Sequence, residues 1–271
     1  MSRVTTVFSG SSQNPSDDFS KTLYKYRNWC SPFQSRIITE RELYLSAARD
    51  FNDPFDARFT IRYDLLSDEE LRNRLTVSFL KGEPFAGANR VRAQVDAAFN
   101  NMRDPEYIKD LHKRKYEANN EAIGVYCMTT KPDNILMWSH YANSHKGFVV
   151  GLDTDMIFYD VSATMSGVNY QEEYPIIMPG LGMETPNEIY EVYSTKSSLW
   201  SYETEVRMFK VHAANKAFVY RPESLREVIF GCNISAKDKQ EIIDASSDFP
   251  NVKLFQATTS QSEFELEIQP L

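Results

Sequence analysis

The spacing of apolar residues changes along the chain and predicts its helices and strands. Apolar positions that recur every three or four residues indicate helices, whereas short apolar or alternating runs indicate strands. The strands predicted in this way are 23–27, 42–46, 123–128, 148–152, 161–170, 203–210, 228–230, 252–257 and 264–268. The predicted helices are 135–144, 187–195, 236–245 and three more between about 65 and 122. This order of elements predicts an α+β fold with a central mixed or antiparallel sheet and flanking helices.

The same pattern predicts the domain organisation. Residues 1–20 are rich in Ser, Thr, Asn and Asp and are expected to form a flexible tail, and residues 21–271 a single α+β domain. The helices at about 65–122 are expected to form an insertion in that domain, the first of them capped by Ser67 and Glu70. Proline and glycine residues between 175 and 186 predict a long loop that could serve as a lid.

Composition narrows the classes of function. The chain is 42% hydrophobic and 25% charged, which favours a globular fold, and its 13% aromatic content suits both a core and a cleft that stacks a planar ligand. The net charge of -8 argues against a non-specific grip on nucleic acid. Basic residues between 90 and 115 leave two alternatives open, a local docking patch or a solvated helical face.

Cysteine and histidine usage bears on compartment and metals. The three cysteines are widely spaced, and the four histidines have no metal-ligand spacing, so we expect a cytoplasmic protein that holds no metal. No apolar run approaches the ~20 residues of a membrane span, and no classical signal peptide is present. A non-cleaved secretion signal of an effector is the alternative interpretation of the first 20 residues.

One segment, residues 135–147, combines aromatic and polar side chains unusually densely. In a helix Trp138, Tyr141 and His145 share one face, and Ser139 and Asn143 share another. One interpretation makes the two aromatic residues part of the core. The other places a polar cavity beside this helix.

A second candidate segment, residues 200–207, carries two acids and a base. In a strand Glu203, Glu205 and Arg207 lie on the same side, which fits either an exposed salt bridge or a catalytic acid pair. On the first strand, Arg27 is suited to bidentate capture of phosphate. Its alternative role is an ion pair with an acid such as Asp53 or Asp56.

Common catalytic motifs are missing from the chain. The sequence contains no GxSxG, P-loop, GxGxxG or HExxH pattern, so hydrolase, NTPase, Rossmann and zincin interpretations lack support.

Four phrases together resemble a known family. LYKYR, DFNDPFD, NILMWSHYANSHKGF and WSYETEVR look like the signature of a bacterial family called domain of unknown function 2971, over roughly residues 23 to 257. That family name implies no activity.

The order of elements more distantly resembles the NAD-binding core of ADP-ribosyltransferases. This resemblance implies a split central sheet, NAD as substrate, and Glu205 with Glu203 as the catalytic acids. The cofactor-binding residues that it implies are Arg27, Tyr26, Tyr126, Trp138, Ser139, His140 and Tyr141. The first strand reads Tyr-Arg-Asn where active members of that superfamily have His-Gly or Arg-Gly, and the strand after the helix has no serine motif.

Three hypotheses follow for the function. The first is a toxin, effector or defence component that binds a small nucleotide and either consumes NAD or modifies a macromolecular acceptor, a protein or a nucleic acid. The second is a catalytically inactive module that binds a nucleotide or peptide in an aromatic cleft. The third is a nucleic-acid-processing protein that docks through the basic insertion.

Overall fold

The computed structural model describes residues 15–177 and 186–271 of the 271-residue chain. Its α-helices, in chain order, are α1 (Arg36–Thr39), α2 (Asp68–Gly82), α3 (Ala88–Arg103), α4 (Pro105–Ala122), α5 (Ile135–Tyr141), α6 (Thr154–Val161), α7 (Pro186–Tyr193) and α8 (Ala236–Ala245). The strands are β1 (Thr22–Arg27), β2 (Glu42–Leu45), β3 (Thr60–Ile61), β4 (Ile123–Thr129), β5 (Phe148–Asp153), β6 (Thr164–Gly167), β7 (Asn169–Gln171), β8 (Ile176–Ile177), β9 (Thr195–Ser197), β10 (Glu205–Val211), β11 (Lys216–Val219), β12 (Leu225–Phe230), β13 (Lys253–Thr259) and β14 (Leu266–Pro270).

Eight strands form one mixed sheet in the order β14-β13-β12-β5-β1-β4-β10-β6. Neighbouring strands are antiparallel except β12 and β13, which run parallel. Three two-stranded sheets accompany it, in the pairs β2 with β11, β3 with β8, and β7 with β9. The α+β class and the mixed central sheet are therefore confirmed.

The main sheet opens between β1 and β4. Strand β1 pairs with β5 along its whole length, from Thr22 to Arg27, but it pairs with β4 only at Tyr24 and Thr129. Strand β4, by contrast, pairs with β10 along all seven of its residues, Ile123–Thr129. The backbones of β1 and β4 therefore diverge and leave a wedge in the middle of the sheet.

Both faces of the sheet are covered, which explains the continuous apolar run of β5. Phe148, Val150 and Leu152 belong to the larger core cluster on one face. Val149 lies on the other face, in a smaller cluster with Tyr26 and Trp138. Alternate residues of a strand point to opposite faces, so a strand buried on both sides has no polar positions.

The three helices predicted between 65 and 122 occur there as α2, α3 and α4. Ser67 accepts a hydrogen bond from the Glu70 backbone N–H, and the Glu70 carboxylate accepts from the Ser67 backbone N–H, as expected of a capping box. These helices have their own apolar cluster, which includes Leu71, Leu75 and Val95.

The N-terminal segment and the predicted lid are described only in part. Residues 1–14 of the predicted tail lie outside the described residues, but Pro15–Asp17 form a 3₁₀ turn. Ser16 donates to the Asp155 carboxylate, and Thr154 donates to the Ser20 carbonyl, so this part of the predicted tail is bound to the domain. Residues 178–185 of the predicted lid also lie outside the described residues, whereas Ile176–Ile177 form β8.

Several predicted element boundaries are wrong. The strand predicted at 161–170, for example, is two strands, β6 and β7, which belong to different sheets. Two other errors have their cause in local backbone geometry. The helix predicted at 135–144 begins as expected, with Asn134 accepting from two backbone N–H groups, but it ends at Tyr141. Asn143, Ser144 and His145 follow in left-handed conformation and turn the chain into β5. The strand predicted to begin at Glu203 begins two residues later, because Ser198–Glu203 form a 3₁₀ helix.

Candidate ligand-binding cleft

A cavity of about 500 Å³ lies in the wedge between β1 and β4. Strand β1 contributes residues 24–27, strand β4 contributes residues 125–128, and α5 contributes Met137, His140 and Tyr141. We call this cavity the split-sheet cleft. It lies where paired strands would otherwise exchange backbone hydrogen bonds, so polar groups are exposed to it.

Two cations of β1 occupy the opening between the strands. The Lys25 ammonium donates to the Cys127 carbonyl of β4 at 2.5 Å, and the Arg27 guanidinium donates to the Tyr26 carbonyl at 3.4 Å. Both side chains also lie over the Tyr126 ring, 5.1 and 5.8 Å from its centroid. Neither cation forms an ion pair with a carboxylate of the described residues.

No carboxylate of the described residues pairs directly with either cation, although Glu205 and Glu203 act on Lys25 from a longer distance. Burial, followed by the adjacent charge of Arg27, lowers the pKa of Lys25 to about 8. Burial also lowers the pKa of Arg27 below its ordinary value, although a guanidinium stays protonated at neutral pH. A carbonyl oxygen satisfies a donor but leaves the positive charge in place. This end of the cleft therefore favours an anion.

Aromatic rings form much of the cleft wall. The lining rings are Tyr24, Tyr26, Tyr44, Phe51, Tyr126 and Tyr141. Tyr126 is buried, and its hydroxyl makes no hydrogen bond of ordinary geometry, although Arg27 lies close enough to act on its pKa. Burial nevertheless raises that pKa to about 12, so the hydroxyl is neutral and available to donate.

A buried ionic cluster lies at the other side of the cleft. Arg207 binds Asp56 through both terminal nitrogens, at 2.8 and 2.6 Å, and Glu205 through Nε at 2.8 Å. Lys196 donates to Glu203 at 2.5 Å and to Glu205 at 3.0 Å. Three carboxylates thus share two cations, and each of these five side chains is almost fully buried.

The two glutamates differ in how fully they are bound. Glu205 accepts three hydrogen bonds, one from Lys196 and two from Arg207. Burial tends to raise its pKa, but the charges of Arg207 and Lys196 outweigh this effect and hold the pKa well below its usual range. Glu203 accepts two, from Lys196 and from the Tyr141 hydroxyl at 2.7 Å. Since an ionised carboxylate has about four acceptor sites, Glu203 keeps more capacity for a further donor.

Tyr141 connects the cluster to the open part of the cleft. Its hydroxyl donates to Glu203 and accepts from the Asn52 amide at 3.1 Å. Burial and the charge of Glu203 raise its pKa above the ordinary value, so the phenol stays protonated. Tyr141 thus fixes the orientation of the Glu203 carboxylate.

Most of the residues singled out from the sequence converge on this cleft. Those that line it are Tyr26, Arg27, Tyr126, His140, Tyr141, Glu203 and Glu205. The salt-bridge alternative for residues 203–207 is wrong in one respect, because both acids and Arg207 are buried rather than exposed. The ion pair considered for Arg27 is also wrong, since Asp56 binds Arg207 and Asp53 accepts from the Phe55 backbone N–H.

Trp138 and Ser139 do not line the cleft. The Trp138 side chain is 0% exposed, packs edge-on against Tyr26 and donates to the Pro132 carbonyl, as a core residue does. Ser139 faces a different surface, where its hydroxyl donates to the Ile135 carbonyl and lies 3.0 Å from His145 Nε2. His145 Nδ1 has no hydrogen-bond partner among the described residues, so this pair lacks the third group that orients the base of a nucleophilic serine.

Sequence reasoning missed three cleft residues, Lys25, Asp56 and Lys196, as parts of the site. Lys25 precedes Arg27 by two positions and therefore lies on the same side of β1, so the alternation of side chains along a strand could have predicted it. Lys196 lies on β9, outside both candidate segments, and nothing in the local sequence connects it to Glu203.

Two features are absent from the described residues, a metal-binding group and a membrane-spanning helix. Within 15–177 and 186–271, no three His, Cys, Asp or Glu side chains are grouped so that they could hold a metal ion. In the same ranges no helix is both long and apolar enough to cross a membrane.

Comparisons with known proteins leave the activity open. Neither a search of curated proteins nor a search of solved structures found a match. Residues 137–208 match the model of a family described as protein of unknown function (DUF2971). The matched segment runs from α5 to β10 and includes Tyr141, Lys196, Glu203, Glu205 and Arg207 of the cleft and its ionic cluster.

Proposed function

We propose that the split-sheet cleft binds a phosphate-bearing nucleotide, with NAD as the first ligand to test. The observation that supports this proposal is the pair of cations without carboxylate partners, Lys25 and Arg27, at the mouth of an aromatic-walled cavity. Arginine and lysine are the usual partners of phosphate oxygens, and aromatic walls suit a base or nicotinamide ring. The volume of about 500 Å³ falls within the ordinary range of small-molecule sites.

Within this proposal, the pyrophosphate lies against Lys25 and Arg27 and a ring lies against Tyr126 or Tyr141. Tyr126 is the natural donor to the ligand, because its hydroxyl is buried and lacks a well-formed hydrogen bond. The ionic cluster then forms the far wall of the site, where Glu203 can accept from a ribose hydroxyl.

Calorimetric titration with ADP and NAD tests this proposal. We expect Arg27→Gln and Lys25→Met each to weaken binding by about 10- to 100-fold, since a hydrogen bond to a charged group is worth about 1.5–3 kcal/mol. The control is Arg221→Gln, since Arg221 pairs with Asp160 at the surface and does not line the cleft. Absence of binding in the wild type, or equal losses in cleft and control variants, would overturn the proposal.

ADP-ribosyl transfer from bound NAD is the second candidate function. The observation that favours it is that both glutamates and all three tyrosines of the predicted site line the same cleft as Arg27. Cleavage of the nicotinamide–ribose bond develops positive charge on the ribose, which a nearby carboxylate stabilises. Glu203 suits this role better than Glu205, because Lys196 and Arg207 already occupy most of the acceptor capacity of Glu205.

Nicotinamide release distinguishes transfer from simple binding. If the protein is a transferase, it releases nicotinamide from NAD in a reaction that contains cell lysate, since the ADP-ribosyl group then passes to water or to a protein or nucleic-acid acceptor. Glu203→Gln abolishes this release while NAD remains bound. Saturable NAD binding with no release by the wild type would identify a binding module.

A further inference from the structure

A second surface groove, separate from the cleft, runs between α4 and the segment 54–60. Its volume is about 650 Å³. The residues that line it are Pro54, Phe55, Arg58, Phe59, Thr60, Lys109, His112, Lys113, Tyr116 and Tyr174. We call it the α4 groove. Among the described residues that line it there are three cations and no carboxylate, in a chain whose net charge is -8.

The cation at the centre of the α4 groove is held in place without an ion pair to any residue that the structure describes. The Arg58 guanidinium stacks over the Tyr116 ring at 3.8 Å, and its Nε donates to the Pro54 carbonyl at 3.3 Å. Neither contact neutralises its charge. Stacking on an aromatic ring preorganises the guanidinium while its terminal nitrogens stay available.

The two lysines of the α4 groove are only loosely paired. Lys109 lies 3.7 Å from Glu106, and Lys113 lies 3.9 Å from Glu117, with all four side chains largely exposed. Exposed ion pairs of this kind contribute little to stability, so either lysine can bind another anion with little loss of free energy. Lys109 and Lys113 lie one helical turn apart on α4 and therefore follow one edge of the groove.

Exposed aromatic rings complete the α4 groove. Phe55 is 64% exposed and Tyr174 is 43% exposed, so both rings are accessible to a ligand. Every nucleic acid base has a π-face, so exposed rings beside a row of cations form a stacking platform with partners for the phosphates. An acidic peptide would use the cations but would leave the rings without a specific role.

We infer that the α4 groove binds single-stranded nucleic acid, with bases stacked on Phe55 and Tyr174 and phosphates held by Arg58, Lys109 and Lys113. This inference does not depend on nucleotide binding in the split-sheet cleft. A cavity of about 460 Å³ adjoins the groove through Phe55, Arg58, Thr60 and Tyr174, and that cavity in turn shares Lys196 with the cleft.

Fluorescence anisotropy with a labelled oligothymidylate of about 12 nucleotides tests the inference. We expect saturable binding. The logarithm of the association constant should fall with the logarithm of the salt concentration at a slope of about -2, since each of three phosphate contacts contributes about 0.7 on a single strand. Arg58→Gln reduces the slope by about 0.7 and weakens binding. Phe55→Ala weakens binding about tenfold or more with the slope unchanged, because stacking does not release counterions.

Controls separate this surface from other cations and other polyanions. Lys237→Ala removes an exposed lysine of α8, paired only weakly with Glu241, and leaves binding unchanged. The inference is overturned if the wild type does not bind the oligonucleotide, if Phe55→Ala and Arg58→Gln bind as the wild type does, or if an oligoglutamate of equal charge binds equally well. Thermal unfolding of both groove variants verifies that they remain folded.

Discussion

Lys25 and Arg27 lie two residues apart on one strand, yet they respond differently to pH. Burial and the charge of Arg27 lower the pKa of Lys25 to about 8, whereas Arg27 stays protonated throughout the accessible range. An anionic ligand interacts favourably only with the protonated ammonium. Since phosphate groups are already fully ionised above about pH 7, any loss of affinity at higher pH reports on the protein.

We therefore predict that ADP binding weakens as pH rises through about 8 and approaches a tenfold loss per pH unit above that value. Calorimetric titrations between about pH 6.5 and 9.5, the range around this pKa, measure this dependence. In Lys25→Arg the guanidinium remains charged, so the dependence on pH should disappear. If Lys25→Arg shows the same dependence as the wild type, Lys25 is not the group that controls binding.

Arg207 shows how strongly one residue can support the cleft from within. Its side chain is fully buried and holds both Asp56 and Glu205. We predict that Arg207→Ala lowers the free energy of unfolding by about 3–5 kcal/mol, because it leaves two buried carboxylates with only Lys196 nearby. Urea-induced unfolding measures this difference.

The control for Arg207 is an arginine with a similar bond but an exposed partner. Arg62 binds Asp64 through two nitrogens at the surface, so Arg62→Ala should leave the free energy of unfolding close to that of the wild type. Equal losses in the two variants would show that burial of the cluster contributes nothing to stability.

At the scale of elements, the join between α5 and β5 depends on a close backbone approach at Gly147. A Cβ at this position would lie 2.1 Å from the Arg27 carbonyl oxygen, so the strand could not stay in its place beside β1. We predict that Gly147→Ala costs about 1–3 kcal/mol or more and displaces the end of β1 that carries Arg27. Chemical unfolding and ADP titration measure the two effects.

Gly82, at the end of α2, provides the matched control for Gly147. No atom lies within 4 Å of a Cβ built there, and alanine is the better helix former. Gly82→Ala should therefore leave stability unchanged or raise it by up to about 1 kcal/mol, with ADP binding intact. A loss of stability in Gly82→Ala similar to that in Gly147→Ala would contradict the role assigned to the close approach.

The sequence pattern predicted elements well where periodicity or capping was strong. The apolar run 148–152 of β5, the capping box of α2 and the helix at 236–245 all occur as expected. The errors lie where a residue adopts a left-handed backbone that its type does not require. Thr204, with φ of 43°, separates the 3₁₀ helix from β10, and a β-branched residue is a poor sequence signal for such a turn.

The arrangement of the candidate site could be predicted only in part, because it depends on the whole molecule. Arg27, Tyr141 and Glu205 stood out by residue type, but the wedge that brings them together results from the pairing of β1 with β5 and of β4 with β10. Lys196 was missed because no periodicity in the sequence predicts the short pairing of β9 with β7. That pairing holds β9 where Lys196 reaches Glu203 and Glu205.

At the scale of the whole molecule, α2 and α3 should unfold more easily than the sheet. Their apolar cluster is distinct from the core that surrounds β5, and it includes Leu71 and Leu75 of α2. Segments with their own small core open as separate units with lower free energies than the central strands.

We predict that Leu75→Ala, which removes a buried side chain, lowers the free energy of unfolding of this cluster by about 2–5 kcal/mol. Amide exchange should therefore become faster in α2 and α3 but not in β5. Native-state hydrogen exchange read by mass spectrometry measures both segments in one experiment, with Leu80→Ala, at an exposed position of the same helix, as the control. Faster exchange in β5 as well would mean that the helical insertion and the sheet unfold as one unit, and the cleft would then depend on the insertion for its stability.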